Sequence, residues 1–264
     1  MAAIQSHSPS GYVRISTFCA NSVFQLKKVS LQHIIAIVDE IREIPLFESL
    51  GDGQARKLSV HCVWRSVAEN ELIIDYEDDT AEVLFVVDGR VRILLRTASG
   101  REVILDDMQG GRYFGEMAAI DGLPRSANVT ALEKTRFCVM PDAVFREACT
   151  TIPSVGLSVM KMLADRVRTL NQRLGEYAFL TAKQRLCAEL LRLSRPRMGN
   201  ERQRIVSPPP LQRELADRIS TQREVVTREL ASLARKNIIE KTRGGLVLVE
   251  PDRLNAIIDE AQSK

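Results

Sequence analysis

The sequence predicts an α+β protein in three consecutive parts: an N-terminal antiparallel β jelly roll, one long helix, and a C-terminal winged helix-turn-helix. Three observations carry that expectation. Between residues 56 and 140 the chain runs in short β-rich stretches broken by turn residues, at the roughly 8–12 residue spacing of an antiparallel barrel or jelly roll. After Pro153 apolar residues recur at helical intervals over eighteen positions, Met160 to Tyr177. The last third then reads helix, tight turn, helix, hairpin, the order of a winged helix-turn-helix.

Residues 1–30 mix polar and apolar side chains without periodicity, with Pro9, Ser10 and Gly11 together, and read as a weakly ordered extension. Residues 31–152 form the first folded part. It opens on an amphipathic helix over residues 30–44, with Ile34, Ile37, Val38, Ile41 and Ile44 on one face. Leu84-Phe85-Val86-Val87 runs into Asp88-Gly89 and returns as Val91-Arg92-Ile93-Leu94-Leu95, and Asp-Gly between two β-rich runs signals a hairpin. Ser99-Gly100 gives a second turn before Glu102-Val103-Ile104-Leu105. Residues 153–181 are the long helix, on which Met160, Leu163, Val167, Leu170, Leu174 and Tyr177 follow spacings of 3, 4, 3, 4 and 3. A seam this narrow predicts a parallel coiled-coil contact with a second copy of the chain, since a helix lying on its own barrel shows a wider stripe. Residues 182–264 hold a second helix at 183–195 and a basic, proline-punctuated connector at 196–210. A helix at 211–218, the turn Ile219-Ser220 and a helix at 222–237 follow. Two strands at 238–241 and 246–249 then flank Gly244-Gly245.

Composition narrows the function. With 45% hydrophobic and 27% charged residues in 264, the chain is globular rather than disordered or fibrous. Its longest apolar runs, residues 34–38 and 83–87, are far too short to span a bilayer, and no secretory signal stands at the start. Cys19, Cys62, Cys138, Cys149 and Cys187 are scattered, which suits a reducing, cytoplasmic setting. Without a CxxC pair, and with only His7, His33 and His61, a zinc or iron–sulfur site is not expected. Residues 182–264 carry a net charge of +6 and the remainder −3, the balance of a nucleic-acid-binding module on a mildly acidic body.

Two motifs carry chemistry. The first is Phe114-Gly115-Glu116-Met117-Ala118-Ala119-Ile120, followed by Arg125-Ser126-Ala127. A glycine turn opening a short helix at Glu116 presents free N–H groups to an anion, and Gly115 lets the anion approach the backbone. Arg125 can fork onto two phosphate oxygens and Ser126 can donate a hydroxyl. Glu116 only accepts hydrogen bonds at neutral pH, so it needs a donor such as a ribose hydroxyl. Together these groups describe a sugar and one phosphate in a barrel mouth.

This stretch resembles the phosphate-binding cassette of cyclic-nucleotide-binding domains, and about residues 40–249 resemble the CRP/FNR family of bacterial transcription regulators. The resemblance implies a cyclic-nucleotide-binding jelly roll and assigns Gly115 and Glu116 the backbone and ribose contacts. Arg125 and Ser126 take the cyclic phosphate in that scheme, and Ala127 adds a backbone contact. Arg166 on the long helix matches the family arginine that pairs with the cassette glutamate. The cAMP-responsive members meet adenine with two adjacent hydroxyl residues on the long helix. The matching positions here are Leu170 and Asn171, of which Asn171 can bond a purine edge and Leu170 cannot. cAMP is the expected effector, with cGMP its competitor.

The second motif, Ser220-Thr221-Gln222-Arg223-Glu224-Val225-Val226-Thr227-Arg228, opens the second helix of the helix-turn-helix. Arginine suits the O6/N7 edge of guanine and glutamate the N4 donor of cytosine, so Arg223, Glu224 and Arg228 are candidate base readers. Thr221-x-x-Glu224 also fits a capping box. The family resemblance implies double-stranded DNA as partner, with a half-site of TGTGA or a close relative. Gln222 and Thr227 become flanking contacts, Lys241 and Arg243 touch phosphates from the wing, and RNA polymerase is the implied protein partner. The alternative is the same DNA-binding module under a barrel that answers another signal or none. Redox sensing of the FNR kind needs clustered cysteines. Haem sensing needs axial ligands, and His61 and Cys62, adjacent on one strand, point to opposite faces. No P-loop, carboxylate cluster or activated nucleophile suggests an enzyme.

Overall fold

The computed structural model describes residues 40–97 and 100–260. The extension expected at residues 1–30, residues 30–39 of the expected first helix, and Ser99 of the expected second turn lie outside the described residues.

After a 3₁₀ turn at Pro45–Phe47, helix α1 (Asp52–Ser59) precedes eight strands: β1 (Val63–Val67), β2 (Leu72–Ile74), β3 (Val83–Asp88), β4 (Arg90–Arg96), β5 (Glu102–Gln109), β6 (Tyr113–Phe114), β7 (Asn128–Ala131) and β8 (Thr135–Met140). They form two four-stranded antiparallel sheets, ordered β1-β8-β3-β6 and β2-β7-β4-β5, the jelly roll that the turn spacing predicts. Alternation along the strands decides which core each side chain joins. Leu84, Val86 and Phe137 of the first sheet meet Ile74, Val91, Met108 and Val129 of the second. Val83, Phe85, Cys138 and Met140 face the opposite way, onto Phe47, Phe145, Val155 and Val159. Strand β3 is therefore buried on both sides, which its unbroken apolar run requires.

Helix α2 (Glu116–Asp121) interrupts the strands between β6 and β7. Helices α3 (Asp142–Thr151) and α4 (Pro153–Phe179) follow the barrel. On α4, Val155 and Val159 pack on the barrel, whereas Met160, Val167, Leu170 and Leu174 are each more than half exposed. Of the expected seam, Leu163 packs against the barrel core, while these four residues are left uncovered by it.

Helix α5 (Ala182–Leu193) starts on a capping box in which the Thr181 hydroxyl and the Gln184 side chain each satisfy the other's backbone N–H. Helices α6 (Gln212–Arg218) and α7 (Arg223–Arg235) and the hairpin of β11 (Ile239–Thr242) and β12 (Gly245–Leu248) complete the winged helix-turn-helix, with α8 (Pro251–Asp259) behind it. Leu186, Leu190, Leu215, Val226, Leu233 and Leu254 fill its core.

Three local expectations are corrected. The connector at 196–210 holds a hairpin instead, β9 (Arg195–Arg197) and β10 (Asn200–Val206), and β10 pairs with β12. Pro196 is tolerated there because β9 lies at the sheet edge, and Gly199 turns at φ 80°. Residues 56–59, placed in the strand region, belong to α1, whose Ala55 and Leu58 are buried. His61 and Cys62 lie in the turn after α1 rather than on a strand, His61 exposed and Cys62 packed against the core.

Candidate functional site

The cassette is built where β6 ends. Gly115 adopts φ 86° and caps α2, a left-handed conformation that disfavours any residue with a Cβ. A Cβ there would also meet Arg125 Nη1 at 2.5 Å and the Glu82 carbonyl oxygen at 2.7 Å. Glycine is therefore required twice over at this point.

Glu116, the next residue, is 1% exposed. Its Oε1 accepts from Nη1 of Arg166, which reaches across from α4, and Arg166 Nη2 donates to the Tyr113 carbonyl at 3.1 Å. Oε2 of Glu116 is buried without a hydrogen-bond partner. Burial pushes the Glu116 carboxyl above its usual range, against the pull of the Arg166 and Arg125 guanidiniums. A buried carboxylate oxygen with no donor is costly, and a hydroxyl supplied from the adjoining space would relieve it.

That space is a cavity of about 60 Å³ bounded by Ile93, Gly115, Glu116, Arg125, Ala127 and Arg166, with the exposed Met117 and Ser126 at its rim. It is well below the roughly 300 Å³ of a small ligand pocket, so admitting a whole nucleotide requires the rim to open.

Arg125 is 4% exposed and already engaged. Its Nε donates to Thr80 Oγ1 at 2.9 Å and its Nη1 to the Gly115 carbonyl at 3.1 Å. Its Nη2 donates to the Glu82 carbonyl at 2.9 Å and to Glu82 Oε2 at 3.4 Å. A guanidinium has five N–H groups, so one on Nη1 is left over. The free two-pronged fork expected from the sequence is thus corrected: the prongs are held by Gly115 and Glu82, and an anion must displace the long Glu82 contact to gain a second bond. Ser126 is exposed and its hydroxyl lies 3.8 Å from Met117 Sδ; Ala127 is buried.

Gly115, Glu116, Arg125, Ser126, Ala127 and Arg166 therefore share one cavity. Asn171 does not join them. It is exposed on α4 and sits five residues beyond Arg166, about 7.5 Å along the helix. Thr80, Glu82 and Tyr113, which position the two arginines, were not singled out from the sequence. Thr80 and Glu82 belong to an acidic stretch that reads as a solvated loop, and Tyr113 acts through its backbone.

In the C-terminal part, Gln222, Arg223, Glu224, Thr227 and Arg228 are all exposed on the first turns of α7, and Lys241 and Arg243 are exposed on the wing. The capping box suggested for Thr221 and Glu224 does not form, because α7 is capped at Gln222 without a side-chain hydrogen bond. Glu224 is left facing solvent. Thr227 Oγ1 donates to Gln212 Oε1 at 2.6 Å and so ties α7 to α6, while Arg228 pairs with Glu229 at 3.3 Å. Among the described residues no helix is long and apolar enough to cross a membrane, and no three His, Cys, Asp or Glu side chains are grouped to hold a metal ion.

Comparison with known proteins bears on both halves. Residues 64–151 match the cyclic nucleotide-binding domain, and residues 184–257 match the Crp-like helix-turn-helix domain. The chain is 27% identical over 171 residues to a CRP-like cAMP-activated global transcriptional regulator of Mycobacterium tuberculosis, covering 64% of this chain and 76% of that one. It is 28% identical over 217 residues to a cyclic AMP receptor protein of Thermus thermophilus, covering 81% of this chain and 96% of the relative. Among solved structures, a CooA mutant from Carboxydothermus hydrogenoformans shares the fold at a TM-score of 0.68 and 17% identity, over 81% of this chain and 94% of that one. The matched domains and the named relatives are those of transcription regulators, not of enzymes. The chain is a DNA-binding transcription regulator that couples a cyclic nucleotide-binding domain to a Crp-like helix-turn-helix domain, the make-up of CRP-like regulators.

Proposed function

We propose that this regulator is a homodimer switched by cAMP, with cGMP the competing effector, and that it reads a palindromic TGTGA-like site in double-stranded DNA. Residues 31–152 sense the nucleotide, 153–181 dimerise and 182–264 read DNA, while residues 1–30 precede the working parts. The observation that carries this reading is Glu116, with one oxygen on Arg166 and the other buried without a donor beside the cavity that Arg125 also lines. A ribose hydroxyl fits that oxygen. The cyclic phosphate fits the remaining N–H of Arg125, the Ser126 hydroxyl and the backbone at Gly115 and Ala127. Arg166 links this pocket to α4, whose exposed Met160, Val167, Leu170 and Leu174 suit a second copy of the chain. Asn171 faces the base when that second helix closes beside it. The similarity to a mycobacterial cAMP-activated regulator and a Thermus cyclic AMP receptor protein favours cAMP.

A dimer places two α7 helices on one DNA face about one helical turn apart, which calls for a palindrome. Arg223, Glu224 and Arg228 read bases, Gln222 and Thr227 flank them, and Lys241 and Arg243 grip phosphates. RNA polymerase is the protein partner of such a factor, and the scattered reduced cysteines suit the cytoplasm. The test is fluorescence anisotropy of a labelled TGTGA palindrome with and without cAMP. Operator affinity at least tenfold higher with cAMP is expected. Equal affinity in both conditions contradicts the switch, because a ligand shifts an equilibrium only by its differential affinity for the two states.

A further inference from the structure

Between the barrel and the helix-turn-helix lies a chain of ion pairs that neither DNA reading nor nucleotide binding uses. Arg92 on β4 faces Asp107 in register on β5 and donates to both its oxygens, Nε to Oδ1 at 2.8 Å and Nη2 to Oδ2 at 2.9 Å. The same Arg92 reaches Glu214 on α6, Nη1 to Oε1 at 2.5 Å. Arg218, at the other end of α6, donates from Nη2 to Asp107 Oδ2, and its Nη1 lies 3.6 Å from Glu189 of α5. Arg218 and Glu189 are buried, while the side chains of Arg92, Asp107 and Glu214 are half-buried, so water reaches only part of the pairing.

We propose that Arg92 and Asp107 are positioning residues for DNA binding: they seat the helix-turn-helix on the barrel through Glu214 and Arg218, fix where its reading residues stand, and carry the state of the nucleotide cavity to it. Three observations support this. Successive residues of a strand face opposite sides, and Ile93, next to Arg92, lines the cavity while Arg92 faces α6. In the docked arrangement Gln222, Arg223 and Glu224 are exposed and line a cleft whose other wall is Gly100, Glu102 and Val103 of the barrel, so the seat fixes where the reading residues stand relative to the barrel. Buried charges hold position only with their partners in place, because an unpaired one is strongly unfavourable, so this contact either seats fully or separates. Tyr177 near the end of α4 donates from its hydroxyl to the Arg218 carbonyl at 3.2 Å, which joins the long helix to the same seat.

This inference rests on the function proposed above, and its test separates the two. Asp107→Asn keeps the shape and removes the central charge. Asp106→Asn, on the same strand and paired instead with Arg112 at 2.8 Å, is the control. Operator affinity at saturating cAMP and amide hydrogen exchange in α6 of the DNA-free protein are the readouts. Asp107→Asn is expected to weaken operator binding at least tenfold and to lose protection in α6 while the barrel stays protected. Asp107→Glu restores both, and Arg218→Gln added to Asp107→Asn costs no further tenfold. Asp106→Asn stays within twofold of wild type. If Asp107→Asn matches wild type in operator affinity and in α6 exchange, the seat is overturned. A wild type indifferent to cAMP strikes the proposed function instead, and the exchange in α6 still judges the seat.

Discussion

Arg125→Ala is expected to abolish the cAMP response of operator binding while leaving weak, nucleotide-independent DNA binding in place. Among the described residues the guanidinium is the one buried cation at the cavity with an N–H to spare, and none of them offers a cyclic phosphate another charged donor from the barrel side. Truncating one partner of a buried charge pair costs about 2–5 kcal/mol, so cAMP affinity falls roughly 30- to 4,000-fold. Arg125 also ties Gly115 and Glu82 together, so its loss removes a tie within the cassette itself. Arg125→Lys separates the two effects. It keeps the charge and loses the fork, and should retain an intermediate response. The measurement is operator affinity against cAMP concentration for all three proteins, with thermal unfolding as the fold check. A folded Arg125→Ala protein that responds like wild type removes Arg125 as the phosphate partner.

Joint replacement of Leu170 and Leu174 by glutamate is expected to give a monomer. Both leucines are more than half exposed on the single chain, so neither substitution disturbs the barrel core. In a paired seam each buried leucine contributes about 1.5–3 kcal/mol, and the two copies lose four of them while gaining facing like charges. Sedimentation equilibrium should show the mass of one chain for the variant and of two for the wild type. Losing the second reading head removes the effective-concentration gain, so affinity for the full palindrome drops by about 10²- to 10⁴-fold. Affinity for a single half-site should hardly change. A variant that still sediments as a dimer places the contact elsewhere.

Much of this was legible in the chain because the signals are local. Gly115 before Glu116 specifies the left-handed cap, Asp88-Gly89 specifies the β3–β4 hairpin, and the seam from Met160 to Tyr177 specifies an uninterrupted helix. The β9–β10 hairpin was hidden because Pro196 and a run of arginines suppress the strand pattern, and its pairing partner β12 lies some forty residues away. The ion-pair seat was hidden for a related reason. Arg92, Asp107, Glu189 and Arg218 each look like solvated charges on their own element, and only the docking of α6 on β4 and β5 brings them together. The same holds for the grip of Thr80 and Glu82 on Arg125, which spans more than forty residues.

The pocket itself can be judged by isothermal titration of cAMP into the wild-type protein and into Glu116→Gln. Saturable binding of one nucleotide per chain is predicted for the wild type, weakened at least tenfold when the acceptor for the sugar hydroxyl is replaced. Absence of binding heat for both cAMP and cGMP, or equal affinity in the two proteins, would contradict a cavity built around Glu116 and Arg125 to hold a cyclic nucleotide.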